Sequence, residues 1–293
     1  MSAKKILIIA LCATALFTAA VGAWAQQAKA PKEAAQAIVK ASPPAGMVMD
    51  KRAMDALKLM SDTLSKAKTV RFQARSMVPV RTPGGVWINL YGTSQVVMQG
   101  PDKLFANTAG DFAPYDFYFD GKTITRYSPD KNLYSVKESP GTIDDMIEKA
   151  YSEEGKSFPY ADMLVSEPYA VMADGLISAL YIGQSTLRPL SGQGSVKTNH
   201  LVFSNKGVQW QIWIDAGDHL PRLVVATYLD DASEPSYSVE FGDWKIDEPV
   251  SADAFIFKNV SNAAKVEFRN PIEQGRKTPS DTAGKKIVKG GRP

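Results

Sequence analysis

The chain has 293 residues, a formal charge of +3 and a single cysteine, Cys12. Lys4 and Lys5 lead into an almost unbroken apolar run from Ile6 to Ala20, and Ala23-Trp24-Ala25 sets small residues at the two positions a signal peptidase reads. Export is therefore expected, with a mature chain from Gln26 that can form no disulfide and offer no thiolate to a metal or a substrate.

The apolar run is too short to span a hydrocarbon core of roughly 30 Å as a settled helix, and no second run of about twenty apolar residues follows it. Leu11, directly before Cys12, and the short stretch upstream of it argue against a lipid-modified cysteine. Without Lys4 and Lys5 the net charge falls to +1, so no overall field steers the protein toward nucleic acid. From Arg269 onward the basic residues face only Glu273 and Asp281, in a stretch rich in Gly, Pro, Ser and Thr. Residues 270–293 read as a disordered basic tail and residues 26–46 as a flexible leader ending near Pro43-Pro44. Between them, residues 47–269 are expected to form one domain, long enough to bury a large core.

Asp50 is placed to cap a helix reaching Ala67, on which Met54, Leu57, Ser61 and Leu64 recur at spacings of three and four. The period then changes to two: Val70, Phe72, Ala74, Ser76 and Val78 alternate with Arg71, Gln73 and Arg75, as in a strand with one wet face. Pro83-Gly84-Gly85 turns the chain into a second strand from Trp87 to Met98. Strands follow over 103–108, 115–119, 122–127 and 133–137, with Asp120-Gly121 and Ser128-Pro129-Asp130 as turns, which together read as an antiparallel meander.

A Thr142 to Asp145 capping arrangement opens a helical insert with Ile143, Met146, Ile147 and Ala150 on one stripe and Gly155 at its end. A second short helix is expected over 160–165, continuing past a break at Pro168 toward Ala173. Strands resume over 176–182, 186–190, 197–204, 208–215, 222–229, 236–246, 254–258 and 264–268. The fold class that follows is α+β: one strongly curved antiparallel sheet, a half-barrel, with helices over its concave face because a curled sheet must cover that face with something.

Several runs of residues carry a family resemblance. Tyr160 to Tyr169, Tyr181-Ile182-Gly183, His200 to Phe203, Gln209 to Ile214, Leu220-Pro221-Arg222 and Asp243-Trp244 resemble, in order and spacing, an exported bacterial family catalogued as domain of unknown function 2092. The resemblance covers about Met54 to Phe268. The family looks related to the periplasmic LolA/LolB lipoprotein carriers and the stress sensor RseB, which implies a half-closed barrel with a hydrophobic concavity lidded by helices, and a periplasmic location.

Catalytic chemistry is weakly signalled. The two histidines, His200 in a strand and His219 in a turn, read as a structural hydrogen bonder and as turn surface. No Gly-x-Ser-x-Gly elbow, His-Glu-x-x-His or phosphate loop occurs. Asp144-Asp145 and Asp230-Asp231 sit where carboxylates serve a helix start and a turn. No cofactor and no metal is expected, and the protein is read as not an enzyme. An envelope hydrolase using His200 is the third alternative.

Apolar faces are the stronger signal. Tyr115, Phe117 and Phe119 share one side of a strand, and Val208, Trp210, Ile212 and Ile214 share one side of another. Such faces fill an ordinary core or line a cavity. The second reading makes Phe72, Phe117, Phe119, Trp210, Ile212 and Ile214 the walls of an acyl-chain site, with Met146, Ile147, Met163 and Leu164 as a movable lid. The expected partner is a hydrophobic or lipidated ligand, not nucleic acid. A sensor of RseB type, meeting another envelope protein, is the alternative.

Overall fold

Asp50 begins the first helix as expected: its carboxylate accepts the Arg52 backbone N–H at 2.9 Å, and α1 runs Lys51–Lys66. The computed structural model describes residues 48–154, 160–188, 190 and 194–268, so the export signal, the leader, Gly155 and the basic tail lie outside the described residues. The buried stripe of α1 is Ala53, Leu57, Met60, Ser61 and Leu64, turned slightly from the expected one, with Met54 at its margin.

The meander follows as β1 (Thr69–Arg81), β2 (Trp87–Gln99), β3 (Lys103–Gly110), β4 (Tyr115–Phe119), β5 (Thr123–Ser128) and β6 (Leu133–Glu138). Asp120 holds the β4–β5 turn by accepting the backbone N–H groups of Lys122 and Thr123 at 2.9 and 2.7 Å. Thr142 and Asp145 bond reciprocally, Thr142 N–H to Oδ2 at 2.8 Å and Asp145 N–H to Oγ1 at 3.2 Å, and start α2 (Ile143–Glu154). A 3-10 turn (Ala161–Met163) and α3 (Pro168–Met172) complete the insert. The remaining strands are β7 (Ser178–Leu187), β8 (Val196–Asn205), β9 (Val208–Asp215), β10 (Pro221–Tyr228), β11 (Ser236–Ile246) and β12 (Ala264–Lys265).

These twelve strands lie in one open sheet, in the order β12-β6-β5-β4-β3-β2-β1-β11-β10-β9-β8-β7. Every pairing among them is antiparallel except β12 with β6. The two halves are joined where β1 pairs β11, with Val70 opposite Ile246 and Ala74 opposite Phe241. Both outer edges carry a short parallel cover. Ala179 donates to Val48 O and Asp50 to Ala179 O along β7, while Ala264 and Val266 donate to Asn132 O and Tyr134 O along β6. Covering the edges removes the unpaired N–H and C=O rows that would otherwise recruit another strand.

Four local expectations differ from the structure. The segments 176–182 and 186–190 are one strand, β7, because Gly183 adopts φ +141° and a register shift between Tyr181 and Gly183 absorbs the irregularity as a bulge. Pro168 starts α3 rather than breaking a helix, since its missing N–H costs nothing at the first helical position. The segment 254–258 is not a strand. Ser251 caps a 3-10 turn (Ala252–Phe255), and Phe257 then lies against Tyr118, Tyr127 and Tyr134 on the outer face of the meander. Finally, 264–268 shortens to the two residues of β12.

One face of the sheet is buried across ten of its twelve strands. Val70, Phe72, Ala74, Val96, Leu104, Phe117, Phe119, Leu201, Phe203, Trp210, Ile212, Val239 and Phe241 belong to a single apolar cluster that also takes in Leu57, Met60, Ile143, Met146, Met163, Leu164 and Met172 from the helical segments. Among the described residues no helix is long and apolar enough to cross a membrane.

Gly110 ends β3 opposite Gly92, at φ +145°, and a Cβ there would lie 2.2 Å from the Tyr91 carbonyl oxygen. Gly110→Ala is expected to cost about 1–3 kcal/mol. Gly84→Ala, whose nearest neighbour would be 4.0 Å away, should be close to neutral. Urea midpoints of the two variants check this.

Candidate functional site

The ten side chains expected to form a ligand site do come together. Phe72, Phe117, Phe119, Trp210, Ile212 and Ile214 from the sheet are buried in one cluster with Met146, Met163 and Leu164, and Ile147 packs against it half-buried. Two of them are packed among other aromatic rings. Phe72 has Trp244, Tyr160 and Phe241 around it at ring-centroid distances of 4.6, 5.5 and 5.7 Å. Trp210 stacks on Phe203 at 4.2 Å and donates its Nε1–H to Asn205 Oδ1 at 2.9 Å. Tyr160, Phe241 and Trp244 are therefore as much part of this interior as the residues foreseen. Sequence reading does not assign them to the site, because the first sits in an irregular segment and the other two lie at a bulge.

Two polar groups stand out, one inside the apolar cluster and one beside it. Tyr237, on β11, is 7% exposed, and its hydroxyl has no hydrogen-bond partner among the described residues. Asp162, on the 3-10 turn of the insert, keeps some surface exposure, yet the atoms packed round its carboxyl desolvate it and push it up to about 6. Burial also raises the Tyr237 and Tyr160 phenols, with Tyr160 bonded to Ser94. Tyr160, Tyr228 and Asp162 are near enough to Tyr237 to add to its shift. A buried polar atom without a partner, such as the Tyr237 hydroxyl, costs roughly 1–3 kcal/mol.

A hollow of about 300 Å³ opens where α1 meets the ends of β7, β8 and β9, lined by Arg52, Ala56, Leu59, Tyr181, Asn199, Ile214 and His219. Ile214 is the foreseen site residue that reaches it; the other nine lie elsewhere in the cluster. The sequence determines the rim locally. Asp50 accepts from the Arg52 backbone and grips its guanidinium from Nη2 and Nε at 2.7 and 3.2 Å, which leaves the group 4.8 Å above the Tyr181 ring. The same pair holds the Asp50 carboxyl down at about 2. His219 occupies φ +61° in the β9–β10 turn. That turn is fixed by Asp215, which accepts Gly217 N–H at 2.8 Å and Arg222 Nη2 at 2.8 Å, and by an Arg222–Asp218 ion pair. Read from sequence as turn surface, His219 is instead part of a rim.

A second hollow of about 280 Å³ lies on the opposite face of the meander, under the C-terminal strap, between Tyr118, Asp120, Thr123, Thr125, Tyr134, Val136, Phe255, Ile256, Phe257 and Asn259. Burial, with Asp116 adding to it, pushes the Tyr118 phenol up to about 12. His200 is positioned as a structural residue: it stacks on Trp213 at 4.1 Å and shares a 2.9 Å hydrogen bond with Gln211. Among the described residues no group of three or more His, Cys, Asp or Glu converges on a point.

Because Asp162 is protonated more easily in the folded chain than in the unfolded one, its contribution to stability is complete below the ordinary carboxylate range near 4 and is lost as pH rises through about 6. Asp162→Asn is therefore expected to stabilise the protein above pH 6, by about 1–3 kcal/mol at pH 7.5, and to flatten the decline in Tm between pH 4 and pH 7. Thermal unfolding across that range checks both effects.

Similarity to solved structures is broad and weak. LprF from Mycobacterium bovis matches with 12% identity over 70% of this chain and 97% of its own, at a TM-score of 0.43. An uncharacterized conserved protein from Thermus thermophilus matches with 11% identity over 74% and 100%, at 0.42. The LolA superfamily protein NE2245 from Nitrosomonas europaea matches with 8% identity over 70% and 97%, at 0.30. Among curated proteins none matches. The family model described as "Predicted periplasmic protein (DUF2092)" matches residues 53–269, nearly the whole described body, with its β1–β11 junction and helical insert. The chain belongs to this family, and its location is periplasmic.

Proposed function

We propose that this periplasmic protein holds a lipid, an acyl chain or a lipidated ligand between the buried face of its sheet and its helical segments, and catalyses no covalent change. In this reading the helices cover the concave face of a half-barrel, and the side chains of that face and of the helices close on one another until a guest parts them. The observation that carries the reading is the unbroken apolar cluster shared by ten strands and the helical segments.

The polar ties of the insert support it. Ser166 donates from its backbone and hydroxyl to Asp144 at 2.9 and 2.6 Å, and Tyr169 N–H donates to Ser61 Oγ at 2.9 Å, which binds helical segment to helical segment. Toward the sheet the insert presents mostly apolar side chains, together with Tyr160 and its bond to Ser94. Apolar contact is non-directional, so a hydrocarbon guest replaces that part of the contact at little cost.

Magnitudes make closure on itself a functional requirement. A sixteen-carbon chain gains on the order of 12 kcal/mol on leaving water, at roughly 0.8 per methylene. Release would then be very slow unless opening the cluster offset part of that gain. The methionines Met60, Met146, Met163 and Met172 suit repacking, being unbranched and polarizable.

The test is stoichiometric uptake of a fluorescent fatty acid by delipidated protein. Met146→Asp and Ile147→Asp each place a charge on the insert's apolar side and are expected to weaken uptake at least about tenfold. Circular dichroism confirms that the variants are folded, and Ile147, being half-buried, is the safer of the two. Full uptake by both folded variants removes the insert from the site; no uptake by the parent protein removes the reading altogether.

A further inference from the structure

We propose that the guest is an acyl chain ending in an oxyanion, and that its head is held by Arg52, Asn199 and His219 in the hollow between α1 and the ends of β7, β8 and β9. This rests on the lipid-holding reading above and adds the chemical class of the head group.

The hollow is divided by chemistry. Ala56, Leu59 and Ile214 form its apolar part, with Ile214 1% exposed and belonging to the same cluster as Trp210 and Ile212. A chain laid over Ile214 is therefore continuous with the interior. Leu59 is 45% exposed at the rim, apolar surface that a chain passing inward would cover. The polar part consists of groups that offer hydrogens. Arg52 uses Nε and Nη2 on Asp50, which leaves Nη1 without a partner of its own among the described residues. Tyr181 spends its hydroxyl hydrogen on Asn199 Oδ1 at 3.0 Å, which satisfies the amide oxygen and leaves the Asn199 NH₂ to donate. His219 brings at least one further ring N–H.

Among the described residues no acidic side chain lines this hollow. Asp50 stands behind Arg52 and fixes the guanidinium in place, a positioning role, at the cost of part of its field. The contrast with the hollow under the C-terminal strap is instructive, since there Asp120 is in the lining and an anion would meet a carboxylate. A cationic head is repelled by Arg52, and a neutral hydroxyl head leaves the guanidinium without a charged acceptor. A carboxylate or phosphate oxygen satisfies the donors together, and charge-assisted bonds of that kind are about twice as strong as neutral ones.

Carboxylate and phosphate share this chemistry, and the test separates their sources. Delipidated protein is titrated by displacement of a fluorescent probe with palmitate, with 1-palmitoyl-lysophosphatidylglycerol and with the neutral 1-monopalmitoylglycerol. The parent protein is expected to bind at least one of the two anions about three- to tenfold more tightly than the neutral ester, the range that an exposed guanidinium assisted by neighbouring donors supports. Whichever anion shows the preference names the source. In Arg52→Gln and in His219→Gln the ratio should fall toward one. In Asp50→Asn, which keeps a good helix cap while releasing Arg52, it should rise. Raised salt should shrink the ratio, because the rim is exposed. Equal binding of all three lipids by the parent protein and by Asp50→Asn overturns this inference and leaves the lipid-holding reading standing. Binding of none of them overturns both.

Discussion

An open sheet of twelve strands must bury one whole face and protect two raw edges, and this protein is organised around that double requirement. The buried face shares one apolar cluster with side chains of the helical segments. The edges are met by short parallel strips, residues 48–50 along β7 and 264–266 along β6. Closing the sheet into a barrel would have solved the edge problem but fixed the interior.

The register at β1 and β11 carries the two halves. Their pairing joins residues about 170 positions apart in the chain, and the shift between Arg71 and Gln73, opposite Gly242, bends the sheet at its middle. The aromatic group of Phe72, Phe241, Trp244 and Tyr160 sits at this bend. Tyr237 and Asp162 lie in the same region as polar exceptions, one lacking a hydrogen-bond partner among the described residues and the other pushed up to about 6 by burial. Aromatic contact and imperfectly satisfied polar groups therefore meet at the same place.

The candidate site divides into an interior and a rim, and the two were legible to different degrees. Alternation alone placed Trp210, Ile212 and Ile214 on one buried face, and helical spacing placed Met146 and Ile143 on another. Their meeting in a common cluster follows from strand order. The rim was hidden. Arg52 lies in the first turn of α1, Tyr181 on β7 reaches diagonally to Asn199 on β8, and His219 belongs to a turn between β9 and β10. No spacing in the chain relates these residues. They are neighbours because α1 is tied by residues 48–50 to the edge strand.

Local order was readable from the chain alone: the Asp50 cap, the Thr142–Asp145 box, the period-two strands and the Asp120-Gly121 hairpin, each set by interactions spanning a few residues. The lone cysteine likewise excludes any disulfide within the chain, so packing carries the stability. Whatever depends on backbone groups distant in sequence was settled only by the assembled fold. Gly183 became a bulge inside one long strand because β8 continued to offer partners on both sides of it. The segment around Phe257 left the sheet because three tyrosine rings offered it a better surface than an edge already covered by β12. The choice between a filled core and a lined cavity was of the same kind, since identical alternation describes both, and only the placement of neighbours across the sheet fills the space or leaves it open.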